Sequence, residues 1–288
     1  TTAVGALAGQ FSVSDQGTAQ YNVPIEVPPG RAGVEPALSL RYSATRASGE
    51  AGVGWKLEGL SQITRCPRIY ALDGYSAPIK NDTSDLFCID GKRLETVPGS
   101  LHYGYDKAEY RTLVDTFTKV VSRIEPGDGF QLGSWTNVPL VTRNEQGPDY
   151  FQVWMKDGRI LTYGHTPDSL VVGQNGVRVS WLLNKVEDRA GNNMVVRYTN
   201  LRTAVPAEVV DRVPNLVQPR AIFYTGHGDV AGNREVRFDY ENRLDSQLSF
   251  AQGGTPLIMV HRLERIMTFV NGVPVKNYHL QYVDETHS

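Results

Sequence analysis

The sequence predicts an all-β fold of multiple antiparallel hairpins with little helix. Apolar and polar residues alternate with a period of two in many short segments, as they do in strands that bury one face. The chain contains 28 Gly, 16 Pro and 14 Tyr, a composition typical of turns and half-buried strand positions. A period of 3.6 residues is scarce, although residues 207–213 and 244–251 could each form a turn or two of helix.

The chain is expected to consist of a short arm and one module. Residues 1–20 are expected to be an irregular N-terminal arm that ends in the polar turn Ser14-Asp15-Gln16-Gly17. Residues 21–288 are expected to form a single all-β module, because all-β modules of this length often stay undivided.

Three alternating segments follow the arm and share one apolar face. Pro28-Pro29-Gly30 ends the first segment, because proline donates no ladder hydrogen bond and glycine allows a sharp reversal. The apolar positions are Tyr21, Val23, Ile25 and Val27, then Leu38, Leu40 and Tyr42, then Val53, Trp55 and Leu57. We therefore predict a structural core in which Leu38, Leu40, Tyr42, Val53 and Trp55 are buried together.

Turn residues between alternating segments predict three hairpins. The turns are Asp90-Gly91, Lys156-Asp157-Gly158 and Asn271-Gly272, and Pro274 favours an edge position for the last strand. Residues 181–198 and 220–240 share a strand–turn–strand rhythm, which is typical of Rhs/YD repeats but also arises by chance among hairpins. The last alternating segment, residues 277–283, has no following segment to cover it. We expect it to pair with residues beyond Ser288 or with an earlier strand.

The chain has two cysteines, Cys66 and Cys88, and they allow two interpretations. They could be two separate buried thiols, because free cysteine packs well in cores. They could also form one disulfide, as in an exported protein. Sequence spacing does not fix the geometry that a bridge requires.

Composition and motifs give no sign of catalysis or of nucleic-acid binding. The 29 basic and 31 acidic residues leave a formal charge of −2, so no basic excess indicates nucleic acid, and no apolar run is long enough for a membrane span. No phosphate-binding loop, dinucleotide fingerprint, nucleophile elbow or paired metal-ligand motif occurs. We therefore predict no catalytic, cofactor-binding or metal-binding residues. Among the six scattered histidines, His227 is the one worth examining for a ligand, because it lies between two glycines.

Short motifs in a fixed order carry a family resemblance. They are Pro24-Ile25, Pro28-Pro29-Gly30, Pro36-Ala37-Leu38-Ser39-Leu40-Arg41-Tyr42, Gly52-Val53-Gly54-Trp55, Ile63-Thr64-Arg65-Cys66-Pro67, Phe87-Cys88-Ile89-Asp90-Gly91-Lys92-Arg93-Leu94, Asp188-Arg189-Ala190-Gly191-Asn192 and Tyr278-His279-Leu280-Gln281-Tyr282. Together they resemble the SpvB/TcB family, the N-terminal modules of insecticidal toxin-complex B subunits and of Rhs-type secreted toxins. The resemblance covers essentially the whole chain.

The resemblance implies a secreted, extracellular structural module of a toxin. Such modules contribute to a β-rich shell that encapsulates a toxic C-terminal segment. The implied partners are downstream segments of the protein's own longer chain, the toxin cargo, and a pore-forming or delivery subunit. Some SpvB-type chains carry an ADP-ribosyltransferase site with Ser-Thr-Ser and Glu-x-Glu triplets, and neither triplet occurs in this sequence.

Two other functions remain open. The tryptophans at positions 55, 135, 154 and 181 are expected to be core anchors, but an exposed ring would suit an extracellular module that binds carbohydrate or another cell-surface ligand. An enzyme whose site is assembled over long range has no supporting motif.

Overall fold

The computed structural model describes residues 8–45, 48–114, 116–125, 130–132, 141–173, 176–200, 217–250 and 254–282. Strands make up 56% of the structure and helices 4%, and the sheets are antiparallel, so the predicted all-β class is confirmed. Short helical segments among the described residues are α1 at Tyr70–Asp73 and a 3-10 turn at Pro167–Ser169. No helix among the described residues has the length and apolar character needed to cross a membrane.

The strands fall into two large sheets and two small ribbons. In chain order they are β1 Gln10–Val13, β2 Ala19–Ile25, β3 Leu38–Ser43, β4 Ser48–Gly49, β5 Gly52–Val53, β6 Trp55–Glu58, β7 Gln62–Cys66, β8 Leu86–Ile89, β9 Lys92–Thr96, β10 Glu109–Thr112, β11 Lys119–Arg123, β12 Phe130–Leu132, β13 Val141–Arg143, β14 Tyr150–Trp154, β15 Ile160–Tyr163, β16 Leu170–Val172, β17 Arg178–Glu187, β18 Asn192–Asn200, β19 Val217–His227, β20 Arg234–Phe250, β21 Pro256–Val270 and β22 Val273–His279.

The N-terminal sheet has the strand order β1-β2-β3-β6 and collects the predicted apolar face. Its register places side chains from three strands in cross-strand rows, because alternate residues of paired strands point to the same side. One row is Val23, Leu40 and Leu57, and all three are buried. Leu38 pairs with Ile25 one step further along and is also buried.

The prediction that Val53 belongs to this core is wrong. Its side chain is 75% exposed, because β5 is a two-residue strand that pairs with β4 and not with the N-terminal sheet. Gly54 follows with a φ of 78°, and this left-handed residue interrupts the alternation between Val53 and Trp55. Period-two counting therefore put Val53 in phase with a strand that begins only after it.

The expected irregular arm also contains a strand. β1 pairs with β2, and Phe11 lies opposite Tyr21. The polar turn at Ser14 joins the two strands, since the Ser14 hydroxyl accepts a hydrogen bond from the Thr18 amide at 3.1 Å. Residues 1–7 lie outside the described residues, and the single-module organisation of residues 21–288 stays a prediction.

Eight strands of the second sheet close into a ring in the order β15-β14-β11-β10-β9-β8-β7-β17, with β17 pairing back to β15. A ring of eight strands is narrow enough for side chains to fill its interior. Phe87, Phe151 and Trp181 fill it with edge-to-face contacts at centroid distances of 5.2, 5.4 and 5.1 Å. The interior of the ring is therefore a packed aromatic core.

The remaining strands extend from the ring as a wall. Residues 180–182 of β17 pair with β7, and residues 185–187 pair with β18, so this one strand belongs to both parts. From β18 the sheet continues through β19, β20 and β21 to β22. Residues 244–250, for which helical turns were expected, lie in β20, because pairing with β21 overrides their local pattern. Residues 207–213 lie outside the described residues.

The three predicted hairpins are present as β8–β9, β14–β15 and β21–β22. Two of them turn through residue pairs in which both φ angles are positive, as type I′ turns require. The angles are 47° and 77° at Asp90-Gly91, and 51° and 77° at Asn271-Gly272. Residues 181–198 and 220–240 also form hairpins, and their relation to YD repeats stays a prediction.

Candidate functional site: an aromatic cleft

A cleft of about 680 Å³ separates the N-terminal sheet from the chain around β22. Its floor is the apolar face of the N-terminal sheet, at Val23, Leu40 and Trp55, and one wall is residues 276–282. The β4–β5 turn forms a second wall at residues 51–53. We call this feature the aromatic cleft. Its volume lies in the range of small-molecule sites.

The cleft lies at the end of the sheet where the apolar face becomes aromatic. The register places Tyr21, Tyr42 and Trp55 in one cross-strand row. The Trp55 ring is 6.3 Å from Tyr21 in an edge-on arrangement and 5.5 Å from Tyr42 in a tilted one. All three side chains are half-buried, whereas the neighbouring row around Leu40 is buried. Four of the predicted core residues, Leu38, Leu40, Tyr42 and Trp55, thus share one face, but Tyr42 and Trp55 lie at its open end.

The wall at β22 is held against the N-terminal sheet by polar contacts. The Glu26 amide donates to the Tyr278 hydroxyl at 2.9 Å, and the Glu26 carboxylate forms an ion pair with Lys276. At the other end the Tyr282 hydroxyl donates to the Leu263 carbonyl at 2.5 Å. Burial raises the pKa of Tyr282 to about 12, so this hydroxyl stays protonated and keeps donating even above pH 10, where an ordinary tyrosine ionises.

The β4–β5 turn is held against β21, the strand next to β22. The Leu263 amide donates to the Glu50 carbonyl at 2.6 Å, and the Leu57 amide donates to the Glu50 carboxylate at 2.9 Å. A Cβ added to Gly52 would lie 3.1 Å from the Tyr282 ring, so a side chain at this position would press on the cleft wall. The cleft therefore offers ring faces and apolar side chains within a fixed frame. Such a lining suits binding or packing more than proton transfer.

The position of the β22 region across the cleft from Trp55 was not predicted from the sequence. The alternation predicts a strand at residues 277–283, of which 277–279 lie in β22 and 283 lies outside the described residues. Nothing local links this segment to a sheet more than 200 residues earlier. A weak signal is the opposite charge of Glu26 and Lys276, which only the fold brings together. Trp181 is fully buried and Trp154 half-buried, and Trp135 lies outside the described residues.

The structure joins Cys66 and Cys88 in a disulfide, with Cα atoms 5.8 Å apart. β7 and β8 pair with Thr64 opposite Cys88 and with Leu86 opposite Cys66. The two cysteines are therefore diagonal neighbours on one face of adjacent strands, on the outside of the ring. This bridge is remote from the aromatic cleft, whose lining contains neither cysteine.

A buried ion pair between Arg65 and Asp85 lies at one end of the ring interior. Arg65 is 1% exposed, and its guanidinium lies 3.2 Å from the Asp85 carboxylate. It also donates to the carbonyl groups of Asp82 at 2.6 Å and Arg178 at 2.8 Å. Burial lowers the pKa of Arg65. The sequence holds a sign of this ion pair. Arg65 comes two residues after Ile63 in β7, so the period-two alternation places its charged side chain on the inward face.

His227 lies at the end of β19, where its amide donates to the Val230 carbonyl at 3.0 Å. Its ring lies beside the turn at Gly191, since a Cβ on that glycine would be 3.5 Å from Nε2. In the part of the chain that the structure describes, no group of three or more His, Cys, Asp or Glu side chains could hold a metal ion.

Comparison with known proteins gives one family match by sequence. Residues 13–211 match the family described as SpvB, Salmonella virulence plasmid 65kDa B protein. No protein with a curated description matches the chain by sequence.

Several solved structures share the fold. The crystal structure of TcdB2-TccC3 superposes with a TM-score of 0.69 at 14% identity, covering 94% of this chain and 15% of that one. The N-terminal domain of effector protein SpvB from Salmonella typhimurium strain LT2 gives a TM-score of 0.64 at 15% identity, covering 86% of this chain and 87% of that one. The Photorhabdus luminescens Tc holotoxin pore gives 0.64 at 13% identity, covering 93% and 14%. This chain thus spans about 15% of the length of TcdB2-TccC3.

Proposed function

The chain belongs to the SpvB family, and from that premise we propose that it is a non-catalytic structural module of a secreted toxin. In this proposal it contributes to a β-rich shell that encapsulates a toxic C-terminal segment for delivery. Its partners are downstream segments of its own longer chain, a toxin cargo and a pore-forming or delivery subunit. The fold neighbours that carry toxin-complex names support this assignment.

The observation that carries the proposal is the free edge of the wall. Among the described strands, β22 pairs with β21 alone, and Val273 and Val275 are 64% and 54% exposed. An open edge presents unpaired N–H and C=O groups and is a template for another strand. Pro274 and Lys276 are the features on β22 that discourage pairing with an arbitrary chain. A wall that ends in such an edge suits continuation by a further segment of the same protein.

The groups around the aromatic cleft support a structural role as well. Glu26 and Lys276 neutralise each other, and the hydroxyl groups of Tyr278 and Tyr282 are bound to backbone. The Tyr278 hydrogen bond and the Glu26–Lys276 ion pair connect the N-terminal sheet to the wall, and the Tyr282 hydrogen bond joins residues within the wall. A catalytic carboxylate or hydroxyl would instead be free to reach a substrate, whereas these groups are already paired with protein partners.

Hydrogen exchange tests the shell proposal. We expect amides of residues 277–282 that point away from β21 to exchange quickly in the 288-residue form. A longer form that continues past Ser288 should protect them, because the added segment supplies the missing acceptors. The amides of β21 are the control, since that strand is paired on both sides in each form. Equal exchange of residues 277–282 in the two forms would contradict the proposal.

A carbohydrate-binding function is the second candidate, and the position of Trp55 favours it. This half-buried ring lines an open cleft of the right size for a sugar, and stacking on aromatic rings is a common mode of sugar recognition. A glycan array with the 288-residue form and its Trp55→Ala variant tests it. Micromolar binding that the variant loses, together with equal amide exchange in the two forms, would replace the shell proposal by this one.

A further inference from the structure

A second concave surface lies on the outside of the ring, away from the aromatic cleft. It is a groove of about 870 Å³, lined by outward side chains of β7 and β8, by the segment around α1 and by the chain after β10. We call it the lateral groove. No contact described for the aromatic cleft involves it, so the two surfaces can be tested separately.

The lateral groove exposes apolar side chains as a group. Ile69 and Leu72, around α1, are 43% and 44% exposed. Leu113 and Val114, after β10, are 54% and 77% exposed, and all four line the same groove. Single exposed apolar residues are ordinary on protein surfaces, but apolar residues that gather in one concavity with a polar rim mark a place where another molecule binds.

The polar rim of the groove carries excess positive charge. Lys56 and Lys92 are exposed, and neither forms an ion pair with any residue that the structure describes. Arg93 is held by Asp73, at 3.2 Å. Among the groove-lining residues that the structure describes, Asp90 is the one carboxylate, and it accepts hydrogen bonds from the Ser61 hydroxyl at 2.6 Å and the Gln62 amide at 3.0 Å. The two lysines are therefore available to an external carboxylate.

The strands that form the groove floor restrict how an occupant is recognised. β7 is paired with β8 and β17, and β8 is paired with β7 and β9, so neither offers a free edge. An occupant must therefore be bound through its side chains and not by adding a strand. The concave shape also favours a polypeptide segment over a lipid bilayer, because a planar surface would contact the rim but not the floor.

We propose that the lateral groove docks a segment of a partner polypeptide that carries apolar side chains interspersed with Glu or Asp. The apolar side chains pack against Ile69, Leu72, Leu113 and Val114, and the carboxylates pair with Lys56 and Lys92. Burial of the four exposed side chains supplies the affinity, and the charges select acidic over basic segments.

The probe is a fluorescein-labelled peptide of alternating Leu and Glu, compared with a peptide of alternating Leu and Lys by fluorescence anisotropy. We expect the acidic peptide to bind more tightly by about tenfold or more, with an affinity that falls as the salt concentration is raised.

The double variant Leu113→Asp with Val114→Asp should abolish binding of the acidic peptide. Both positions are exposed, so the variant is expected to fold. Its matched control is Val13→Asp with Val230→Asp, at similarly exposed valines outside the groove and outside β22, which should bind as the parent protein does.

The charge variant Lys56→Glu with Lys92→Glu should reverse the preference between the two peptides. The control Lys107→Glu with Lys185→Glu changes the net charge equally at positions outside the groove and should leave the preference unchanged. Equal binding of the two peptides, or binding that survives the Leu113/Val114 variant, would overturn the proposal. So would Leu113-dependent sedimentation with phosphatidylcholine–phosphatidylserine vesicles, or Leu113-dependent self-association in sedimentation velocity. Either result would assign the groove to a membrane or to a second copy of this chain.

Discussion

Trp181 is the residue on which the packing of the closed ring depends. It is fully buried, and its indole nitrogen donates to the Pro148 carbonyl at 2.8 Å. Its ring meets Phe87 and Phe151 edge to face, which is a favourable geometry for aromatic quadrupoles. Trp55 has two tyrosine neighbours but an open side toward the cleft. The two tryptophans thus have the same chemistry in different surroundings.

We expect Trp181→Ala to lower the free energy of unfolding by about 3–5 kcal/mol, because it leaves a large cavity in the ring and removes a buried hydrogen bond. Trp55→Ala should cost less, roughly 1–2 kcal/mol, because a half-buried ring loses less contact. Urea denaturation followed by far-UV circular dichroism measures both. A larger loss for Trp55→Ala than for Trp181→Ala would show that the N-terminal sheet, and not the ring, determines stability.

The strands β7 and β8 together carry a buried charge, the disulfide and part of the lateral groove. Its inward face carries the buried Arg65, and its outward face carries the disulfide and the floor of the lateral groove. The chain between the cysteines includes α1, whose Asp73 binds both Arg68 at 3.3 Å and Arg93 at 3.2 Å. A loop of this kind is fixed by charge as well as by the covalent bond.

We predict that Cys66 and Cys88 are oxidised in protein recovered from the periplasm or the medium. Thiol counting under denaturing, non-reducing conditions should find no free thiol, and two free thiols would refute the bridge. Replacing both cysteines by Ala should lower the free energy of unfolding by about 3 kcal/mol, because the unfolded chain regains the freedom of the closed loop. Treatment of the parent protein with a reductant should produce the same loss, whereas the double variant should not respond.

Across the whole molecule, buried tyrosines tie the ring to the wall and the wall to the N-terminal sheet. Tyr163 and Tyr198 lie near the junction at β17, where the Tyr198 hydroxyl donates to the Leu183 carbonyl at 2.8 Å. Further out, the Tyr224 hydroxyl donates to the Pro28 carbonyl at 2.8 Å. Burial raises the pKa of Tyr224 to about 12 and raises the pKa values of Tyr163 and Tyr198 as well. These hydroxyl groups stay neutral in the folded protein well above pH 10.

Stability should therefore fall at alkaline pH. Below pH 10 a tyrosine is neutral in both the folded and the unfolded state, so its contribution is fully present. Above pH 10 the unfolded chain loses protons that the folded protein keeps, which favours unfolding by up to about 1.4 kcal/mol per pH unit for each such group. Urea denaturation at pH 8, 10 and 11 should show the loss beginning near pH 10.

The Tyr110→Phe variant tests one of these groups, since burial raises the pKa of Tyr110 to about 12. Between pH 10 and 12 the slope of the free energy of unfolding against pH should be smaller in this variant by about one proton. A stability that is constant from pH 8 to 11 would contradict this assignment.

The sequence by itself determined the all-β class, the hairpins and the family, because these depend on local patterns. Alternation marks a strand, and Asp-Gly or Asn-Gly with positive φ marks a turn between neighbours in the chain. The order of short motifs was enough to identify SpvB, a resemblance that the family match confirms. For the aromatic cleft, local pattern correctly put Leu38, Leu40, Tyr42 and Trp55 on one face, but it also included Val53, because counting by two does not detect the left-handed Gly54.

The tertiary structure alone decided which strands close into the ring, which end of the apolar face stays open, and what lies against it. Closure depends on the pairing of β17 with both β15 and β7, and β7 lies more than 100 residues earlier in the chain. The cleft depends on contacts between residues at opposite ends of the sequence: Glu26 forms an ion pair with Lys276 and donates its amide hydrogen to the Tyr278 hydroxyl. Contacts of such separation leave no periodic trace in the sequence, because each partner only has to suit its own strand. These long-range contacts are selected because each of them buries apolar surface on both of the elements that it joins.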